Sequence, residues 1–231
     1  MKFKRILLKL SGESLANSNG FGVNSENCLK IANKIKKCLD KGLEIGLVIG
    51  AGNFWRGRTG THISRTQSDK MGILATAMNA LAFSDILSKI GVDCCIQSSL
   101  YIQGVLPPFS ISDAISYLEQ KKVVIFSCGL GSPFFSTDTA AALRAAEINA
   151  DALLKATTID GVYSADPKLD KNAVKYDKVT FDEVLQNHLN VMDMTAISLC
   201  RDIPVPVLIF NFNDLENAIL FGSVGTFITS V

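Results

Sequence analysis

Arg5-Ile6-Leu7-Leu8-Lys9-Leu10-Ser11-Gly12-Glu13 is an apolar run that ends on a lysine and breaks into a turn of small residues. Branched and bulky side chains without a turn former predict a buried strand over 6–10. Outward from it the same kind of run recurs at 46–49, 92–96, 123–126, 152–154 and 205–210. Between these runs lie stretches with apolar residues at helical spacing, at 25–41, 69–90, 112–120, 137–149, 181–188 and 194–200. In the first, Leu29, Ile31, Ala32, Ile35 and Leu39 form the stripe and Gly42 ends it. Strands that are apolar throughout and alternate with helices predict an α/β fold: a three-layer αβα sandwich with a mostly parallel central sheet. No repeat or low-complexity linker interrupts the chain, so residues 1–231 are expected to form a single domain. The long connections at 50–68, 98–111 and 157–179 are expected to carry function.

Composition narrows the function classes. Nearly half of the 231 residues are hydrophobic (48%), which excludes a disordered chain. The 23 Lys and Arg against 22 Asp and Glu leave a net charge of +1, without the basic excess of a nucleic-acid binder. Six cysteines occur with no CxxC pair, and the two histidines, His62 and His188, lie far apart, so zinc is not expected. The cysteines read as small hydrophobes of the core. The apolar run after the basic N-terminus breaks at Lys9, too early for a signal peptide, and no membrane span is expected; the cytoplasm is the default.

In an open α/β sheet ligands bind beyond the carboxyl ends of the strands. After the first strand, Lys9 with Ser11-Gly12 can hold phosphate oxygens with an ammonium and backbone N–H groups; a lysine capping a strand end in water reads the same. No GxxxxGK[ST] occurs, so this is not a P-loop. After the second come Gly50-Ala51-Gly52-Asn53 and Arg56-Gly57-Arg58. The glycines suit either a tight turn or a close ligand; the paired guanidiniums suit phosphate. After the fourth, Gly129 to Asp138 leads into a helix for which Thr137 is a natural N-cap. Its Phe134-Phe135 pair fits ligand contact and loop anchoring equally. After the fifth, Lys155 stands at a strand end as Lys9 does. Two lysines converging on one sheet edge, with Asp138 between them, suit phosphoryl transfer, which needs charge neutralisation and in-line positioning more than covalent help.

Taken in order, the KLSGE run, Gly20-Phe21-Gly22, the segment Gly131 to Asp138, and Lys155-Ala156-Thr157 through Gly161-Val162-Tyr163 to Ala165-Asp166-Pro167 resemble the amino-acid-kinase family, closest to its bacterial UMP kinase branch. The resemblance runs to Gly225-Thr226-Phe227-Ile228. It implies reversible transfer of the ATP γ-phosphate to UMP in pyrimidine nucleotide biosynthesis, with Mg2+ held mainly by nucleotide oxygens. It implies Lys9, Arg56, Asp138 and Lys155 as the catalytic set, and Lys9, Leu10, Ser11, Gly12, Gly52, Arg56, Thr157, Tyr163 and Asp166 at ATP. UMP would be held by Ala51, Asp69, Leu130, Gly131, Ser132, Pro133, Phe134, Phe135, Ser136 and Thr137. Asp69 matches a ribose-hydroxyl acceptor, and a cap on the following helix is its other reading.

The same resemblance implies a homohexamer, UTP inhibition and GTP activation, the last linked to Asn17, Ser18, Asn19, Gly20, Phe21 and Gly22. The helix at 69–90 is apolar enough for a subunit interface. The branch commonly carries Gly-Gly-Gly-Asn where this chain has Gly50-Ala51-Gly52-Asn53, which is compatible if Ala51 keeps a negative φ or acts through its backbone. Arg58 and Arg65 receive no role. A kinase of the same fold acting on an acyl substrate, and a nucleotide sensor without catalysis, are the alternatives.

Overall fold

The structure, a computed structural model, describes residues 2–56, 62–167, 169–189 and 191–231. Arg58 therefore lies outside the described residues. In chain order the elements are β1 (Arg5–Leu10), α1 (Ser25–Leu39), β2 (Glu44–Ile49), α2 (Arg65–Lys89), β3 (Cys94–Ser98), α3 (Ile111–Glu119), β4 (Val123–Ser127), α4 (Thr137–Glu147) and β5 (Ala152–Thr157). They continue with β6 (Val162–Tyr163), β7 (Lys175–Tyr176), β8 (Lys178–Thr180), α5 (Phe181–Gln186), α6 (Met194–Asp202), β9 (Val207–Asn211), α7 (Leu215–Phe221) and β10 (Thr226–Thr229).

Eight strands form the central sheet in the order β3-β4-β2-β1-β5-β9-β10-β8, and β6 pairs with β7 as a separate ribbon. The six strands from β3 to β9 are parallel; β10 runs antiparallel to β9, and β8 runs parallel to β10. Successive strand residues face opposite sides of a sheet. Ile6, Leu8 and Leu10 pack with α1, α2 and α7 on one face. Leu7, Val48, Phe126 and Leu153 pack with α3, α4, α5 and α6 on the other. The expected three-layer sandwich is thus the observed one. Each large apolar side chain fully buried in these layers contributes about 1.5–3 kcal/mol relative to an exposed one.

Several boundaries differ from the sequence reading. The connection at 157–179 contains β6, β7 and the start of β8, and α7 and β10 were not expected. Strands of two to four residues are too short for a two-residue periodicity to register. Helix α2 begins at Arg65 rather than 69, because the Ser64 side chain accepts from the Gln67 backbone N–H. In α4 the N-cap is Ser136, which accepts from Asp138 N and Thr139 N, so Thr137 is already helical. Against the expectation of no spanning run, α2 is long and apolar enough to cross a membrane by length and composition; half of its most apolar stretch is buried inside the fold.

Candidate functional site

Strand order, not strand direction, reverses around β1: it leads to β2 on one side, and the chain later returns to β5 on the other. That crevice, at the carboxyl ends of β1 and β5, is the topological switch point where α/β ligands bind. Lys9 and Lys155 sit there as directly paired neighbours in the parallel register. Both share the strand parity of Leu7 and Leu153, so their side chains leave the sheet on the α4 face. The first turn of α4 carries Asp138 to meet them: Lys9 Nζ lies 2.7 Å from Oδ1, and Lys155 Nζ donates to Oδ2 at 2.6 Å. Lys155 also donates to the Val191 carbonyl at 2.6 Å. The three side chains are 11–14% exposed, so their charges act through a medium much less polar than water.

Burial alone would raise the Asp138 carboxyl, but the Lys9 and Lys155 ammoniums outweigh it and hold it below the ordinary aspartate range. For Lys155 burial wins: it pulls the ammonium below the usual lysine value, and Asp138 only partly opposes this. Asp138 Oδ1 meets Lys9 through charge, without the alignment of a hydrogen bond. The cluster is thus preorganised and retains unused hydrogen-bonding capacity.

Two clefts flank it. One, of about 690 Å³, is lined by Ala51, Gly52, Arg56, Asp69, Phe134, Phe135, Ser136 and Thr137, together with Trp55, Arg65 and Asp193. The other, of about 650 Å³, is lined by Lys9, Ser11, Glu13, Lys155, Thr157 and the segment 211–213. Tyr163 and Asp166 line a third, smaller cavity of about 300 Å³ with Val191 and Leu189, so the residues expected at ATP are divided between adjacent hollows. Gly52 and Arg56 open into the first cleft, not the Lys9 cleft. Arg56 nevertheless reaches toward the latter, its Nη2 lying 2.8 Å from Glu13 Oε1. A further cavity, about 900 Å³, lies near Phe3, Asp151 and Pro206 at the amino ends of β1, β5 and β9, away from this chemistry.

Local packing explains the small residues. A Cβ on Gly12 would stand 2.8 Å from the Gly52 nitrogen, so the β1 and β2 turns interlock only with glycine there. Asn53 and Asn79 exchange a reciprocal pair of amide hydrogen bonds at 2.8 Å, and Asn79 also donates to the Gly50 carbonyl at 2.8 Å. Ala51 is not among the residues with positive φ, which satisfies the condition for an alanine at that position. The segment 17–22 folds onto the same turn: Gly22 N donates to Asn53 O, Asn53 Nδ2 donates to Gly22 O, and Phe21 meets the Phe54 ring edge-on.

Asp69 does not cap α2. Its carboxylate takes Arg65 Nε at 2.8 Å and accepts from Phe134 N at 2.9 Å, pinning a residue whose φ of 72° is in the left-handed region. Phe134 and Phe135 are exposed on the cleft wall rather than anchored in the core. Asp193 was missed. It N-caps α6 and accepts from both Ser136 and Thr139 Oγ1, clamping the start of α4. Its position directly before an apolar helical stretch signals a cap. Its reach to Ser136 required the packed fold.

Among the described residues no group of three or more His, Cys, Asp or Glu is placed to hold a metal. Asp138 faces two ammoniums, so the donor set fits a cation that arrives with a polyphosphate rather than one held in a protein cage.

A parallel sheet with paired lysines and an aspartate at its switch point, set between two clefts, defines an α/β phosphotransferase class. The chain belongs to the amino acid kinase family, which it matches over residues 4–211. It is similar to the UMP kinase from Bacillus anthracis, at 36% identity and TM-score 0.94 over 99% of this chain and 96% of that one. It is similar also to the UMP kinase from Ureaplasma parvum (31% identity, TM-score 0.91, 99% and 100% covered). The uridylate kinase from Archaeoglobus fulgidus resembles it at 27% identity and TM-score 0.74, with 97% and 99% covered.

Proposed function

We propose that this chain is a UMP kinase that reversibly transfers the γ-phosphate of ATP to UMP in pyrimidine nucleotide synthesis in the cytoplasm. The observation that carries this is the Lys9–Asp138–Lys155 cluster: its lysines line one cleft, its aspartate directly follows Ser136 and Thr137 of the other, and each cleft is large enough for a nucleotide. Similarity to UMP kinases over nearly the whole chain supports the choice of acceptor.

In this reading the triphosphate lies over Lys9, Leu10, Ser11 and Gly12, and its nucleoside extends toward Thr157, Tyr163 and Asp166. UMP occupies the cleft walled by Ala51, Asp69 and residues 134–137, with residues 130–133, which do not line it, leading into that wall. A phosphate oxygen of UMP is already an anionic nucleophile, so Asp138 need not take a proton. Asp138 holds the two lysines apart at fixed positions while their ammoniums, with Arg56, offset the charge of the group in transit. The nucleotide would carry Mg2+ on its own oxygens, adding to that charge neutralisation.

Two extensions belong to the same proposal. Segment 17–22, taken as GTP-linked, bonds to the turn at 50–53 that edges the UMP cleft, a direct route for an activator. UTP inhibition would follow from a product-like nucleotide filling that cleft. For the homohexamer, support comes from Met71, Leu74, Met78 and Leu81. These are exposed and lie at three- and four-residue spacing along one side of α2, an apolar stripe suited to a second copy.

An ADP-release assay with ATP and Mg2+, offering UMP, CMP, dUMP, AMP and GMP separately, tests the reading. Strong turnover with UMP is expected. Silence on every nucleotide would sink it and favour an acyl acceptor, which hydroxylamine trapping would reveal.

A further inference from the structure

Arg144 is a buried charge that the phosphoryl-transfer chemistry leaves unused. It lies in α4, downstream of Asp138 on the same helix, and is only 6% exposed. Its Nη1 pairs with Glu147, and its Nη2 donates to Ser99 Oγ at 2.9 Å. Its guanidinium carbon stands 3.6 Å from the centre of the Phe109 ring, which in turn meets Phe126 edge-on. A guanidinium can only donate, so Ser99 must accept from it. The single hydroxyl proton of Ser99 is then committed to its other neighbour, the Gly129 carbonyl, at 2.6 Å.

Gly129 opens the loop that walls the acceptor cleft. Gly129 and Gly131 both take left-handed φ, 55° and 72°, and Gly131 N closes the turn on Cys128 O at 2.8 Å. A Cβ on Gly131 would stand 3.1 Å from the Ser99 carbonyl, so the two turns are in close contact. Ser99 thus seats the root of this loop, and Arg144 dictates which way the Ser99 hydroxyl points.

We infer that Ser99 and Arg144 are positioning residues for the acceptor nucleotide. The chain of bonds from Arg144 through Ser99 to Gly129 sets the loop at 129–136 in register with the helix that carries Asp138. Neither residue lines the acceptor or Lys9 cleft. The inference rests on residues 130–137 holding UMP, and it predicts an effect selective for that substrate.

Steady-state kinetics of Ser99→Ala, Ser99→Thr and Arg144→Met, with melting curves as the folding control, test it. Loss of one net hydrogen bond corresponds to about a two- to tenfold change in an equilibrium. Ser99→Ala should raise KM for UMP by about that factor, leaving KM for ATP and kcat nearly unchanged. Ser99→Thr keeps the donor and should restore the wild-type value. Arg144→Met frees the hydroxyl to rotate and should shift UMP in the same direction. A folded Ser99→Ala protein with unchanged KM for UMP, or with KM for ATP raised equally, overturns the inference while leaving the UMP kinase reading intact. Wild-type protein silent on UMP overturns both.

Discussion

Lys9 and Lys155 derive their chemical character from position rather than identity. Either, on a solvated helix, would be an ordinary surface cation; paired at the ends of β1 and β5 and walled in by α4, they are held by one carboxylate. Losing a preorganised charge of this kind costs about 2.7–4 kcal/mol of transition-state stabilisation, a hundred- to thousandfold in rate. Lys9→Ala should therefore lose at least about a hundredfold in kcat while circular dichroism shows an intact fold; near-wild-type turnover would remove Lys9 from the mechanism. Asp138 makes a second residue-scale prediction. Its folded carboxyl titrates below the ordinary range, so its contribution to stability is fully present above the unfolded carboxyl's value and is lost as pH falls through the depressed folded one. Urea unfolding of wild type and Asp138→Asn should differ most near neutral pH and converge only as pH falls below the ordinary aspartate range, where Asp138 becomes protonated in the folded state and loses the charge that distinguishes it from Asn. A gap that stays constant over that range would contradict the ion-pair account.

Elements meet at Asp193. One carboxylate caps α6 and takes the hydroxyls of Ser136 and Thr139, so the start of α4, and with it Asp138, is tied to a helix far along the chain. Asp193→Ala should lower stability by about 0.5–2 kcal/mol in urea titration, the usual range for a lost N-cap, and reduce turnover by loosening Asp138. Asp193→Asn, an equally good cap, should retain most of the stability. Equal losses in the two variants would show that charge, rather than capping, is what α6 requires. The same scale explains why α2 outran its expected boundary. A serine cap and the Arg65–Asp69 pair extend the helix one turn toward the acceptor cleft, carrying Asp69 on its inner wall to Phe134.

At the scale of the whole molecule, the apolar stripe on α2 makes a prediction about assembly. Met78→Glu places a charge in the centre of that stripe, and sedimentation should show a smaller species than wild type; an unchanged sedimentation coefficient would move the interface elsewhere. What the sequence determined by itself was the layered α/β fold, because buried parallel strands must be apolar throughout and their crossover helices must carry a stripe. It also made legible the chemistry waiting at the strand ends: Lys9 and Lys155 stand near the ends of readable strands, and Asp138 stands in the first turn of a readable helix. Only the tertiary structure decided how these converge. Strand order placed β1 beside β5, register set Lys9 against Lys155, and packing brought Asp193 to Ser136, Asn79 to Asn53 and Arg144 to Ser99. Periodicity reports which face a residue takes, whereas contacts across dozens of residues depend on which strands pair. The short strands β6, β7, β8 and β10 stayed unreadable for the same reason: their hydrogen bonds come from partners distant in the chain, and two to four residues carry no period of their own.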